Sequence, residues 1–62
     1  MSWVLVIFLS IPSDNYTYDV IHVIQGADTQ AKCEQLGTNS VPAFEESGAE
    51  VTSMMCVPKW EG

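Results

Sequence analysis

Hydrophobic side chains occupy every position from Trp3 to Leu9, near the start of the chain. The run is rich in β-branched and aromatic residues, and the turn-forming segment Ser-Ile-Pro-Ser-Asp-Asn follows it at residues 10–15. A short continuous apolar run that ends in turn residues is typical of a β-strand buried on both faces. The pattern predicts a first strand over residues 3–9.

The next segment, residues 16–25, alternates between two sets of side chains. Even-numbered residues from Tyr16 to Ile24 fall on one face, and odd-numbered residues from Thr17 to Gln25 fall on the other. This period of two indicates a second strand, joined to the first in a β-hairpin whose loop is longer than two residues.

Helix signals follow the second strand. Gly26 breaks the strand, Asp28 is a good N-cap, Gly37 is a plausible stop, and Gly48 ends the segment that follows. Pro42 lacks the amide hydrogen that an interior helical position needs. We therefore predict a kinked or interrupted helix over residues 28–47, with Cys33 and Leu36 on its inner face and Phe44 anchoring its second half in the core.

A third strand is predicted over residues 50–57, because this segment again alternates and is followed by Pro58. Val51 and the later odd-numbered residues fall on one face, while Thr52, Met54 and Cys56 fall on the other. Residues 59–62 are predicted to form a short tail.

These elements predict one α+β domain over residues 1–62, in the order strand, strand, helix, strand (ββαβ). A right-handed crossover from the second strand to the third gives a three-stranded antiparallel sheet in the order 2-1-3, with the helix on one face. The first strand is then central, although one helix covers only one of its two apolar faces.

The small size of the chain makes its two cysteines important. A chain of 62 residues buries only about 60% of its unfolded surface, so a disulfide, a metal or a partner is usually needed. Two Cys and one His do not make a zinc site at any usual spacing. Cys33 and Cys56 could form a structural disulfide, stay reduced as buried thiols, or act as a redox pair. We predict a disulfide, with Cys33 on the helix and Cys56 on the last strand.

The charge of the chain limits its partners. Eight acidic residues, Glu61 among them, face two lysines, and the net charge is −6. Nucleic acids and anionic membranes attract clustered Lys and Arg, so neither is an expected partner. The first residues lack the positive start and cleavage site of a signal peptide, which makes the cytoplasm the default compartment.

Catalytic chemistry has little support in the sequence. His22 is the single histidine, and Asp19, the acid one could pair with it, falls on the opposite face of the same strand. No nucleophile with its base and no Gly-rich phosphate loop can be identified. We expect no enzyme activity, no cofactor and no metal.

Three pieces of the chain, Trp3-Val4-Leu5, Cys33 and Cys56-Val57-Pro58, carry a resemblance to known sequences. The chain resembles short bacterial and phage proteins with two strands, a helix that carries one Cys, and a last strand that ends in Cys-Val-Pro. The resemblance covers most of the chain and implies the ββαβ fold without implying an activity. Pro42 departs from the uninterrupted helix of that pattern.

The expected function is that of a small, acidic, non-enzymatic protein-interaction module. It would work as a homodimer or by binding a larger protein, for example as a phage-type inhibitor. Aromatic side chains are enriched at protein interfaces, and the first strand has one apolar row more than a single helix can cover. The predicted interface residues are Trp3, Leu5, Ile7, Tyr16 and Tyr18. The alternative is a disulfide-stabilised structural protein outside the cytoplasm.

Overall fold

Four secondary-structure elements follow one another along residues 2–60, the part of the chain that the computed structural model describes. They are strand β1 (Ser2–Pro12), strand β2 (Thr17–Ala27), helix α1 (Gln30–Glu46) and strand β3 (Glu50–Lys59). The ββαβ order predicted from the sequence is confirmed. Glu61 and Gly62 of the predicted tail lie outside the described residues.

The three strands form one antiparallel sheet in the predicted order β2-β1-β3. β1 pairs with both other strands and is the central strand, which agrees with its unbroken apolar run. The strands are longer than predicted, and β3 continues through Pro58 to Lys59. Pro58 is tolerated because β3 is an edge strand with one unpaired side.

Gly26 lies in a β-bulge rather than at a strand end. Trp3 pairs with Ala27 and Leu5 pairs with Ile24, so β2 has two residues between these pairs where β1 has one. Gly26 has a φ of 104°, a conformation that glycine adopts at little cost. The bulge turns Ala27 toward the helix, where it is buried.

A second register shift lies in β3, at Thr52. Phe8 pairs with Ser53, whereas Leu9 pairs with Val51, so Thr52 is the extra residue. The Thr52 hydroxyl donates a hydrogen bond of 3.1 Å to the Phe8 carbonyl. The prediction that Val51 lies on the same face as Met55 and Val57 was therefore wrong. The bulge moves Val51 to the helix side, where it packs against the core.

The helix begins at Gln30, two residues after the start of the predicted range 28–47. Thr29, not Asp28, is the N-cap, and its hydroxyl accepts a 3.1 Å hydrogen bond from the amide of Lys32. Asp28 instead pairs through its carboxylate with the Lys32 ammonium at 3.5 Å, on the exposed surface.

The helix ends in a Schellman motif, as Gly48 predicted. The Ala49 amide donates to the Phe44 carbonyl and the Gly48 amide donates to the Glu45 carbonyl, at 3.1 Å each, while Gly48 has a φ of 98°. The helix forms one element of 17 residues that includes Pro42. Packing of the half-buried Phe44 against the core favours continuing the helix past the proline.

The core lies between the helix and one face of the sheet. Within residues 2–60, its buried hydrophobic residues are Leu5, Ile7, Leu9, Ala27, Cys33 and Ala49. On the helix, Cys33 and Gly37 are buried, whereas Leu36, predicted to face inward, is 37% exposed. Gly37 lies inside the helix rather than at its end, and a Cβ added there would meet side chains of the sheet, 3.2 Å from the Met54 sulfur and 3.4 Å from a Leu5 methyl carbon.

Candidate functional site

A disulfide joins the helix to the last strand. Cys33 and Cys56 are bonded, with their Cα atoms 6.1 Å apart, so the predicted pairing is confirmed. Cys33 is fully buried, and Cys56 packs against the same core. The bond joins α1 to β3, an edge strand that pairs with β1. It therefore fixes the crossover helix to the strand that follows it in the chain.

The prediction that Leu5 and Ile7 lie on an exposed interface is wrong, because the structure buries both side chains. Leu5 is 1% exposed and Ile7 is 0% exposed, because the helix covers the odd-numbered row of β1. Trp3 belongs to the same row and is half-buried against the core. Leu5 and Ile7 cannot reach a partner while the helix is packed on the sheet.

Tyr16 and Tyr18 form an exposed pair at the end of the hairpin. Their ring centroids are 4.8 Å apart in an edge-to-face arrangement, and the Tyr18 hydroxyl donates a 2.6 Å hydrogen bond to the Tyr16 hydroxyl. This hydrogen bond, with a smaller contribution from burial, raises the pKa of Tyr18 above its usual 10.0. The pair lies beyond the ladder between β1 and β3, which ends at Ser10 with Glu50.

His22 contacts an aromatic ring. Its imidazole lies edge-to-face with Phe44 at a centroid distance of 5.3 Å. Within residues 2–60, no three His, Cys, Asp or Glu side chains come together in a group that could hold a metal ion. His22 therefore contacts the helix through the ring of Phe44.

The second face of the sheet is apolar and carries no helix. It is built from the even-numbered residues of β1 and from their pairing partners on β2 and β3. We call this surface the open face, and its apolar members are Val4, Val6, Phe8, Ile21, Val23, Met55 and Val57. The exposed fractions are 62% for Ile21 and 48% for both Val23 and Met55.

Charged side chains mark the two ends of the open face. At one end, Asp19 and Glu50 flank Ser10 on either side. At the other end, Lys59 pairs with Ser2. The face thus has an apolar centre, an acidic end and a basic end.

Two shallow depressions lie beside the helix. One, of about 370 Å³, is bordered by Glu34, Gly37 and Met54, and the other, of about 410 Å³, by Asp28, Lys32 and Leu36. The helix found within residues 2–60 is too short and too polar to cross a membrane.

The prediction from sequence missed Ile21, Val23, Met55 and Val57 as candidate binding residues. The signal was present in β2, because Ile21 and Val23 are apolar on the face predicted to lie opposite Tyr18 and His22. Comparisons with known proteins add no residues: no family model, curated protein or solved structure matches the chain.

Proposed function

We propose that this protein is a non-enzymatic protein-interaction module that binds another protein through the open face. The observation that supports the proposal is the continuous apolar surface across all three strands, in which Ile21 is 62% exposed. The largest apolar patch on a monomeric soluble protein is often a functional site, and patches larger than a few hundred Å² mark interaction surfaces. The polar ends around this surface match the apolar centre and polar rim of protein interfaces.

The energy available from the open face favours a protein partner over a small ligand. The face is a sheet surface without walls, so it cannot enclose most of a small molecule, as ligand pockets do. Burial of apolar area stabilises a complex by about 25 cal/mol per Å² before the entropy cost of association. Another protein is the class of partner that can cover all three strands together.

Site-specific photo-crosslinking in the producing cell tests the proposal. A photo-reactive residue in place of Ile21 reports on the open face, and the same residue in place of the exposed Gln35 reports on the helix surface. We expect a discrete protein adduct from position 21 and none from position 35. Equal adducts from both positions, or none from position 21, would contradict a binding role for this face.

The resemblance to short phage and bacterial proteins suggests a more specific version of this function. Such a module could inhibit a larger protein by occupying a basic site. Asp28, Glu34, Glu45 and Glu46 lie on or beside the helix, so that basic site would face the helix. An adduct with a different protein from position 35, and not from position 21, would support this version over the open face.

The disulfide favours a second candidate function, that of a structural protein outside the cytoplasm. Disulfides persist in oxidising compartments and are rare in the cytosol. Mass spectrometry after alkylation under denaturing conditions, on protein taken from its natural source, separates the two. Two alkylated thiols without reductant would remove this candidate, whereas an intact Cys33–Cys56 bond would support it.

A further inference from the structure

We infer that the partner at the open face is a second copy of this chain, docked face to face with its strands antiparallel, so that Lys59 of each subunit lies opposite Glu50 of the partner subunit. The inference rests on the proposed binding role of the open face. It follows from three features of that face: its area, its nearly neutral surface, and the symmetry of its two charged ends.

The area of the open face is sufficient for a small dimer. The ladder between β1 and β3 runs from Ser2 to Ser10, which corresponds to about 30 Å by 14 Å, or about 400 Å² in projection, for three strands. Side-chain relief adds to the projected area, so two faces bury about 1,000 Å² in total, the lower limit for a specific interface.

The charge of the chain lies mainly away from the open face. Of the net charge of −6, the open face carries two carboxylates and one ammonium, those of Asp19, Glu50 and Lys59. Salt screens exposed charges beyond about 8 Å at physiological ionic strength. The acidic helices point outward in a face-to-face dimer, so their mutual repulsion is weak there.

The charged ends select one of the two possible orientations. A two-fold axis that runs across the strands places each strand over its own copy and reverses its direction. Ser2 and Ser10 lie equally far from Val6 along β1, and they pair with Lys59 and Glu50 of β3. An axis through Val6 therefore brings Lys59 over Glu50 of the partner subunit, and the symmetry repeats this contact.

The other orientation is unfavourable. A two-fold axis that runs along β1 keeps the strands parallel and places β2 over β3 of the partner. Asp19 then lies over Glu50 of the partner subunit, and four carboxylates meet at one end of the dimer. Like charges that face each other across an interface disfavour that register.

Reversal of the charge of Glu50 separates these models. Glu50→Lys changes the net charge from −6 to −4. If general repulsion between the subunits or the parallel orientation governed association, the variant would form a tighter dimer than the wild type. In the antiparallel dimer, Lys at position 50 faces Lys59 twice, and we expect the Kd measured by sedimentation equilibrium to rise about tenfold. Glu34→Lys is the matched control, because it makes the same charge change on the helix surface.

Two further variants test the pairing directly. Lys59→Glu alone should also weaken the dimer about tenfold. An equimolar mixture of Glu50→Lys and Lys59→Glu should form a heterodimer of wild-type affinity, because both of its contacts are then between opposite charges. Circular dichroism confirms that each variant is folded, and the mixture restores binding only if both are.

The results separate this inference from the proposed function. A tighter dimer or an unchanged Kd in Glu50→Lys, or a mixture that does not associate, would overturn the antiparallel dimer. A wild-type mass of 6.8 kDa at all concentrations would overturn it as well, while a crosslink from position 21 to a different protein would leave the proposed function standing. Absence of any adduct from position 21 would remove both.

Discussion

Reduction of the Cys33–Cys56 disulfide should remove a large part of the stability of this small domain. The bond closes a segment with a sequence separation of 23, and the loss of that constraint on the unfolded chain costs about 3 kcal/mol in the chain-entropy model. A domain of 62 residues has a total stability of about 3–9 kcal/mol. We therefore expect the melting temperature to fall by about 10–25 °C on reduction.

The measurement is thermal unfolding followed by circular dichroism, with and without reductant, after mass spectrometry has established that both thiols are free. Reduction leaves both sulfur atoms in the core, so it isolates the effect of the crosslink. The double variant Cys33→Ala/Cys56→Ala also removes the sulfur atoms. Because Cys33 is fully buried, the variant should be less stable than the reduced wild type by about another 1 kcal/mol.

The reasoning predicts an order of stability: oxidised, then reduced, then the double alanine variant. A fully reduced protein that melts within a few degrees of the oxidised one would refute it. That result would mean that the segment between the cysteines keeps its compact form in the unfolded state, so that the crosslink removes little entropy.

Three further predictions concern single positions. Gly37→Ala should raise the free energy of unfolding by about 0.5 kcal/mol, because alanine gains about 1 kcal/mol in helix propensity and the new Cβ meets the flexible end of Met54 at 3.2 Å. Urea denaturation checks this, and a loss above about 1 kcal/mol would mean that Met54 cannot move. Tyr16→Phe removes the hydroxyl that accepts a hydrogen bond from Tyr18, so the pKa of Tyr18 should fall toward 10.0 in an absorbance titration. The raised pKa of Tyr18 stabilises the wild-type fold below pH about 10, and this stabilisation is lost as the pH rises through the pKa of Tyr18 in the folded protein. The variant should therefore lose less stability at alkaline pH than the wild type. Deletion of Thr52, the extra residue of its bulge, should keep both faces of β3 in register and preserve the fold. Deletion of Met54 should place Ser53 in the core, and it should therefore lower the melting temperature more than deletion of Thr52 does.

The order and type of the elements could be predicted because the strongest local signals agree with one another. The apolar run around Ile7, the alternation of β2 and the glycine at position 48 each indicate one kind of structure. The cysteine pair could be placed for the same reason, since Cys33 falls on the helix and Cys56 on the last strand. The limits of the strands were less predictable, because pairing with β1 extends β3 through Pro58.

The covered face of the sheet could not be predicted, and this led to the wrong assignment of Leu5 and Ile7. Both rows of β1 are apolar, so hydrophobicity alone cannot say which one the helix covers. The disulfide places Cys56 on the helix side, but the link from Cys56 to Leu5 depends on the register between β3 and β1. Register is a property of paired strands, and a single strand's pattern does not contain it.

The bulge at Thr52 connects the core with the open face. In a regular ladder that continues from Phe8 with Ser53, Leu9 would pair with Thr52 and Ser10 with Val51. The core would then contain a hydroxyl in place of the Val51 side chain, and Glu50 would lie on the helix side. The extra residue instead brings Val51 against Leu9 and Glu50 against Ser10. One inserted residue therefore completes the core at this end of β3 and also places a carboxylate on the open face, where it is the symmetric counterpart of Lys59.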